Sequence, residues 1–245
     1  MTRRATLATA GRVLHQLRRD PRTIALIVVV PLVLETLLEQ IFKGQPGVFQ
    51  RVGGPLLGLF PFVSMFVVTS ITMLRERVSG TLERLMTLPL AKLDLLAGYA
   101  LAFAIMAALQ ASAVSFVAFE LLGLRSAGPV WAVVLLAISN ALLGMALGLF
   151  ASAFASTEFQ AVQFMPAIVF PQMLLSGLFT PRAEMATWLH WLSDGLPLTY
   201  SYDALARATQ LDDFGGRFPW DVAVTVGATL LALALGATTL RRRTP

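Results

Sequence analysis

Five stretches of the chain, 55–74, 95–119, 126–157, 159–181 and 222–240, contain no Asp, Glu, Lys or Arg. A sixth, 23–42, carries only Glu35 and Glu39 as charges. At about 1.5 Å of rise per helical residue, each approaches or exceeds the roughly 30 Å hydrocarbon core of a bilayer. The pattern predicts an all-α integral membrane protein, a single transmembrane domain over 1–245, with six transmembrane helices at 23–42, 55–74, 95–121, 129–155, 160–180 and 219–240. Two polar connections stand out: 75–90, basic and short, and 181–217, aromatic and longer.

Ahead of the first span, Leu7, Ala10, Leu14 and Leu17 recur at helical spacing while the arginines take other faces. Such a face predicts an N-terminal interfacial helix within 1–22, ended by Asp20-Pro21; a basic tail that only obeys the charge rule is the alternative. No compact apolar core precedes Thr23, so no cleavable signal peptide is expected. Pro31, Pro61, Pro166 and Pro171 fall inside spans, where the carbonyls they free need packing against protein or a wet cavity. Gly144 and Gly148 make a small-xxx-small face in the fourth span, suited to close packing within the chain or to a dimer seam.

Composition agrees with lipid as the solvent: 13% of residues are charged and 56% hydrophobic, with a mean hydropathy of +0.72. The net charge of +5 is not a nucleic-acid footprint, because the basic residues lie at span ends rather than in one stripe. With both termini on one side, that side collects thirteen: six before the first span, then Arg75, Arg77, Arg84, Lys92, and Arg241, Arg242 and Arg243 at the end. The other side has six: Lys43, Arg51, Arg125, Arg182, Arg207 and Arg217. Positive-inside asymmetry therefore places both termini in the cytoplasm. The segment 181–217, with Trp188, Trp191, Tyr200 and Tyr202, is expected at the outer headgroups as an interfacial or re-entrant element broken at Gly195 and Pro197.

Candidate chemistry is sparse. Cysteine is absent and the two histidines, His15 and His190, are predicted on opposite sides, which excludes thiolate metal sites and leaves no clustered catalytic set. Neither an HExxH nor a Gly-x-Ser-x-Gly pattern occurs. No lysine follows a glycine, so the chain has no phosphate-binding P-loop. No enzyme activity, catalytic residue, cofactor or metal is expected in this chain; if ATP drives it, ATP and Mg are bound by another polypeptide.

The segment Arg75-Glu76-Arg77-Val78-Ser79-Gly80-Thr81-Leu82-Glu83-Arg84-Leu85-Met86-Thr87-Leu88-Pro89 predicts a short amphipathic cytoplasmic helix. Gly80 permits a sharp exit from the second span, Ser79 or Thr81 can cap, and Glu83 favours the first turn. Leu82, Leu85 and Met86 form its apolar face, and Pro89 limits it. Such a helix suits a groove on a partner. Elsewhere, Glu35 and Glu39 share one face of the first span, with two placements open: a polar cleft for amphipathic or cationic cargo, or the outer headgroups. Glu120, near the outer end of the third span, fits the headgroups. Ser64, Thr69, Ser70, Gln163 and Gln172 could continue such a cleft or serve interhelical hydrogen bonds.

At 75–89 the sequence resembles the type-2 ABC transporter permeases, of the multidrug-efflux kind, whose connection after the second span reads approximately Arg-Glu-x-x-x-Gly-Thr-Leu-Glu-x-Leu-x-x-x-Pro. Arg75, Glu76, Gly80, Thr81, Leu82, Glu83, Leu85 and Pro89 match it. A second similarity runs through Ser176-Gly177, Pro181, Met185, Trp188-Leu189, Pro197-Leu198-Thr199-Tyr200, Asp203-Ala204 and Arg207, with Ala186 where a proline is common. The resemblance covers nearly the whole chain. It implies the membrane subunit of a bacterial-type ABC exporter in the plasma membrane, pairing with a second copy or a paralogue and docked on separately encoded ATPase subunits. By the same resemblance, 79–88 is the coupling helix, and the first, second and fifth spans flank the dimer axis. The competing reading is an ion-coupled secondary transporter or channel, which would need intramembrane ion-coupling groups.

Overall fold

The computed structural model describes residues 3–81, 84–85, 92–211 and 214–239, and all regular structure among them is helical. In chain order come α1 (Arg3–Arg18), α2 (Pro21–Ile41), α3 (Pro46–Val78), α4 (Lys92–Phe116), α5 (Val130–Ser152), α6 (Glu158–Leu175), α7 (Thr187–Asp194), α8 (Pro197–Ala206) and α9 (Phe218–Thr239). π turns extend α4 over Val117–Leu121 and α8 over Arg207–Leu211. Five of the described helices are long and apolar enough to cross a membrane: α2, α3, α4 with its π turn, α5 and α9. α6, which contains most of the apolar stretch 159–181, is not among them. Glu158, Gln160, Gln163, Gln172 and two prolines dilute its 18 residues.

The local signals explain the boundaries. Asp20 caps α2, its carboxylate accepting from the backbone N–H groups of Arg22 and Thr23 and from the Thr23 hydroxyl, with Pro21 in the first helical position. Pro46 starts α3, and at 33 residues this helix is about 50 Å long, more than a bilayer core needs. Gly80, at φ 72°, turns the chain away from its end. Thr157 caps α6 through the Gln160 N–H.

The centre of the molecule is the contact between α3 and α5. A Cβ added at Gly144 would lie 2.1 Å from the Phe62 carbonyl oxygen, and one at Gly148 2.4 Å from that of Phe66. The two glycines therefore let α5 run backbone against backbone with α3, so the small-xxx-small face serves packing within the chain. Around this seam lie the fully buried Phe62, Met65 and Phe66 of α3, Tyr99 and Phe103 of α4, and Leu143 and Met145 of α5. α1 buries Thr9, Ala10, Val13 and Leu17, chiefly against α4. Leu7, on the apolar face expected from the sequence, is instead exposed.

Candidate functional site

The second span ends in three consecutive charged residues, Arg75, Glu76 and Arg77, which a helix aims about 100° apart. Each holds a different neighbour. Arg75 clasps Glu158 at the start of α6 through two bonds, Nε to Oε1 at 2.7 Å and an Nη to Oε2 at 2.9 Å, with Asp20 at 3.8 Å. Glu76 is buried and receives Arg12 of α1 at 3.3 Å; the same guanidinium bonds the Tyr99 hydroxyl of α4 and stacks 5.5 Å from its ring centre. Arg77 donates to the Ser152 carbonyl at the end of α5. The end of α3 is thus tied to α1, α4, α5 and α6 at one level.

Electrostatics strengthens the outer part of this knot. The hydrogen bond from Arg75, with its charge, holds the Glu158 carboxyl below the usual range, opposed by slight desolvation. Asp20 is lowered first by the Thr23 hydroxyl, then by backbone N–H groups and Arg75.

Directly beyond the knot, Gly80 turns the chain, the Ser79 and Thr81 hydroxyls bond each other at 2.9 Å, and the Arg84 N–H donates to the Gly80 carbonyl at 3.0 Å. Thr81, Arg84 and Leu85 are helical. Leu85 is half-buried against the chain's own core. Leu82, Glu83, Met86 and Pro89, and the basic residues Arg241, Arg242 and Arg243, lie outside the described residues.

At the opposite end, the second sequence pattern builds a compact return. Gly177 adopts φ 101°, a turn of 3-10 type covers Arg182–Glu184, and α7 and α8 meet at the break of Gly195 and Leu196. Arg182 bridges Asp194 of α7 and Asp203 of α8, the latter at 3.4 Å. Burial pushes the Asp203 carboxyl up, with Arg182 opposing the shift. The Ser193 hydroxyl donates to the Leu175 carbonyl at 2.9 Å, and the Tyr200 hydroxyl to the Asp194 carbonyl at 2.7 Å. Met185, where the usual Met-Pro is replaced, is extended and leads straight into α7, with Trp188 and Trp191 exposed along it. α8 is buried along Leu198, Thr199, Tyr200, Ser201, Ala204 and Leu205, so this segment is packed into the bundle rather than resting on it.

The polar residues expected along a pathway are dispersed. Glu35 is fully buried, on an inward stripe with Ile27 and Pro31, and neither oxygen has a hydrogen-bond partner among the described residues. It faces Gly53 of α3, whose added Cβ would sit 3.4 Å from Oε1. The side chain points into the bundle. Glu39 is half-buried, accepts from Gln40 and lines a cavity of about 410 Å³ with Lys43, Gln50 and Arg125. Thr69 and Ser70 are buried and donate to carbonyls of their own helix, Met65 and Val67. Ser64 is half-buried, Gln163 exposed, and Gln172 buried with its amide on the Ile168 carbonyl. Glu120 is exposed.

Several residues of the knot escaped sequence reasoning. No local spacing links positions 12, 76 and 99, or 75 and 158, in the sequence. The Arg217–Asp221 pair, 3.4 Å apart at i,i+4, was accessible from spacing alone, although Arg207, at 3.7 Å from the same buried carboxylate, was not.

A family model for the ABC-2 type transporter matches residues 4–210. The chain belongs to the ABC-2 type transporter family. Its relatives include the probable multidrug ABC transporter permease YbhR of Escherichia coli, 27% identical over 188 residues, 73% of this chain and 50% of that protein. ABC transporter G family member 20 of Dictyostelium discoideum is 27% identical over 147 residues, 60% of this chain and 20% of that protein. The chain thus matches half or less of the length of these ABC transporter relatives. The motif-bearing end of α3, the Gly80 turn and the α7–α8 return up to Gln210 all lie within the matched region.

Proposed function

We propose that this ABC-2 family protein is the membrane-spanning permease subunit of an ATP-driven ABC exporter, energised by a separate ATPase that binds ATP and Mg. Its cargo is a hydrophobic or amphipathic molecule, a drug, lipid or lipid-linked compound, moved outward across a bacterial plasma membrane. In this reading α6 serves as the fifth of six spans, α1 lies along the cytoplasmic interface, and both ends of the chain are cytoplasmic. The functional unit pairs two such permeases.

One observation carries the proposal: the segment after Gly80 leaves α3 at the level where Arg75, Glu76 and Arg77 tie that helix to α1, α4, α5 and α6. A push on residues 79–88 is delivered to the end of a packed bundle rather than to one loose helix. Leu82 and Met86 supply apolar contact to the ATPase, joined by the exposed part of Leu85, while Glu83 and Arg84 fix register by charge. Arg75, Glu76, Gly80 and Thr81 hold the lever, and Pro89 bounds it.

The test is the complex with a partner ABC ATPase, reconstituted in vesicles. Leu82→Asp and Glu83→Ala should each lower cargo-stimulated ATP turnover while membrane insertion is kept. Full coupling in both variants overturns the assignment. The Glu35 carboxylate, buried and without a hydrogen-bond partner among the described residues, favours the second reading, an ion-coupled carrier. Uphill transport by the chain alone, driven by an imposed ion gradient and abolished in Glu35→Gln, would replace the first.

A further inference from the structure

α4 and α9 both lean on α5 but diverge from each other, and the gap between them is an apolar trough open to the side. Its two halves, of about 390 and 340 Å³, share Ala100 of α4 and Leu233 of α9. Short side chains make the gap: Ala97 and Ala100 on one wall, Gly236 and Ala237 on the other. The trough runs along α9 from Val226 to Thr239, about 20 Å at helical rise, against roughly 15 Å for one leaflet's half of the hydrocarbon core. The half toward Val226 has no charged residue in its lining.

The other end lies beside a basic side chain. Ser152 lines it, and the carbonyl of Ser152 takes the Arg77 guanidinium. In sequence, Thr239 of the lining is followed by Leu240-Arg241-Arg242-Arg243. An apolar trough of leaflet depth, open to the side and with the Arg77 guanidinium beside one mouth, is complementary to one amphiphile: a single acyl chain below an anionic phosphate.

We propose that this trough binds an anionic phospholipid, one acyl chain laid between α4 and α9 and its phosphate beside Arg77. Assigning it to the cytoplasmic leaflet rests on the orientation proposed above; the binding itself does not.

Native mass spectrometry of the full chain, purified with its ATPase and titrated with phosphatidylglycerol or phosphatidylcholine, tests this. Phosphatidylglycerol should remain on the chain at collision energies that strip phosphatidylcholine. Ala100→Trp and Ala237→Trp fill the trough and should each abolish that retention, whereas Leu37→Trp, on the exposed face of α2, should leave it intact. Arg77→Gln should lower the preference for phosphatidylglycerol by about fivefold, the worth of one basic charge at an anionic surface. Equal retention of the two lipids, or unchanged retention in both trough variants, overturns the proposal. So does a change of oligomeric state in those variants without loss of lipid, which would mark the trough as a seam between copies. Failure of the ATPase to bind would sink the exporter reading while leaving the lipid result standing.

Discussion

α3 and α2 are neighbouring apolar helices with opposite fates. Two thirds of the most apolar window of α3 is buried (67%), against 17% for α2. α3 meets α5 with glycines at the seam, so backbone replaces side chain in the contact and little tolerance remains. α2 offers the bundle a narrow stripe of Ile27, Pro31 and Glu35, and leaves Val29, Val30, Val33, Leu34 and Leu37 exposed. In lipid, apolarity no longer distinguishes inside from outside; small residues and polar ties do.

That contrast breaks most visibly at the glycines. Gly144→Ala should cost about 3 kcal/mol or more, because the new Cβ meets the Phe62 carbonyl and neither backbone can yield cheaply. Gly227→Ala, in open space on α9, should be neutral or slightly stabilising. Thermal unfolding of the two purified variants, followed by size-exclusion, gives the comparison directly; similar midpoints would remove the seam from its central place.

A smaller loss is expected at the knot. Arg12→Ala leaves the Glu76 carboxylate buried without its cation and should destabilise by about 2 kcal/mol. Hydrogen exchange should then rise first in α1. Arg12→Lys should recover little, since an ammonium does not reproduce the guanidinium's combined contact with Glu76 and the Tyr99 ring.

The smallest effect belongs to the exposed clip between Arg75 and Glu158. The Glu158 pKa is lowered in the folded protein, so the clip contributes fully above the unfolded carboxylate value of roughly 4.3 and is lost as pH falls through the lower folded one. Both partners are about half exposed, which limits the effect to under about 1 kcal/mol. The protection of amides in the first turn of α6, measured against their intrinsic exchange rates, should therefore fall on acidification, and Glu158→Gln should abolish that pH response.

Much of the fold was legible because its signals are local. The long uncharged runs, the Asp20-Pro21 boundary, the Gly80 turn and the break at Gly195 all act through nearest neighbours along the chain. The weakest signal was in 159–181, where the apolar run lacks charges but α6, 18 residues long with glutamines and prolines among them, is not one of the described helices long and apolar enough to cross a membrane. The candidate site was legible only as a linear motif. That Glu76 answers to Arg12, Arg75 to Glu158 and Arg77 to the Ser152 carbonyl depends on which helix faces which, and no spacing encodes it. The inward orientation of Glu35 was likewise undecided by sequence, because one carboxylate per turn reads the same on an inward and an outward face.

Sequence alone determined that the chain is helical and at home in lipid, since hydrophobic length and backbone hydrogen bonding within each helix are properties of single segments. The tertiary structure decided which side of each helix is inside. In a solvent as apolar as the core, that choice is made by close approach at Gly144 and Gly148 and by the pairing of distant charges, and both exist only once the helices meet.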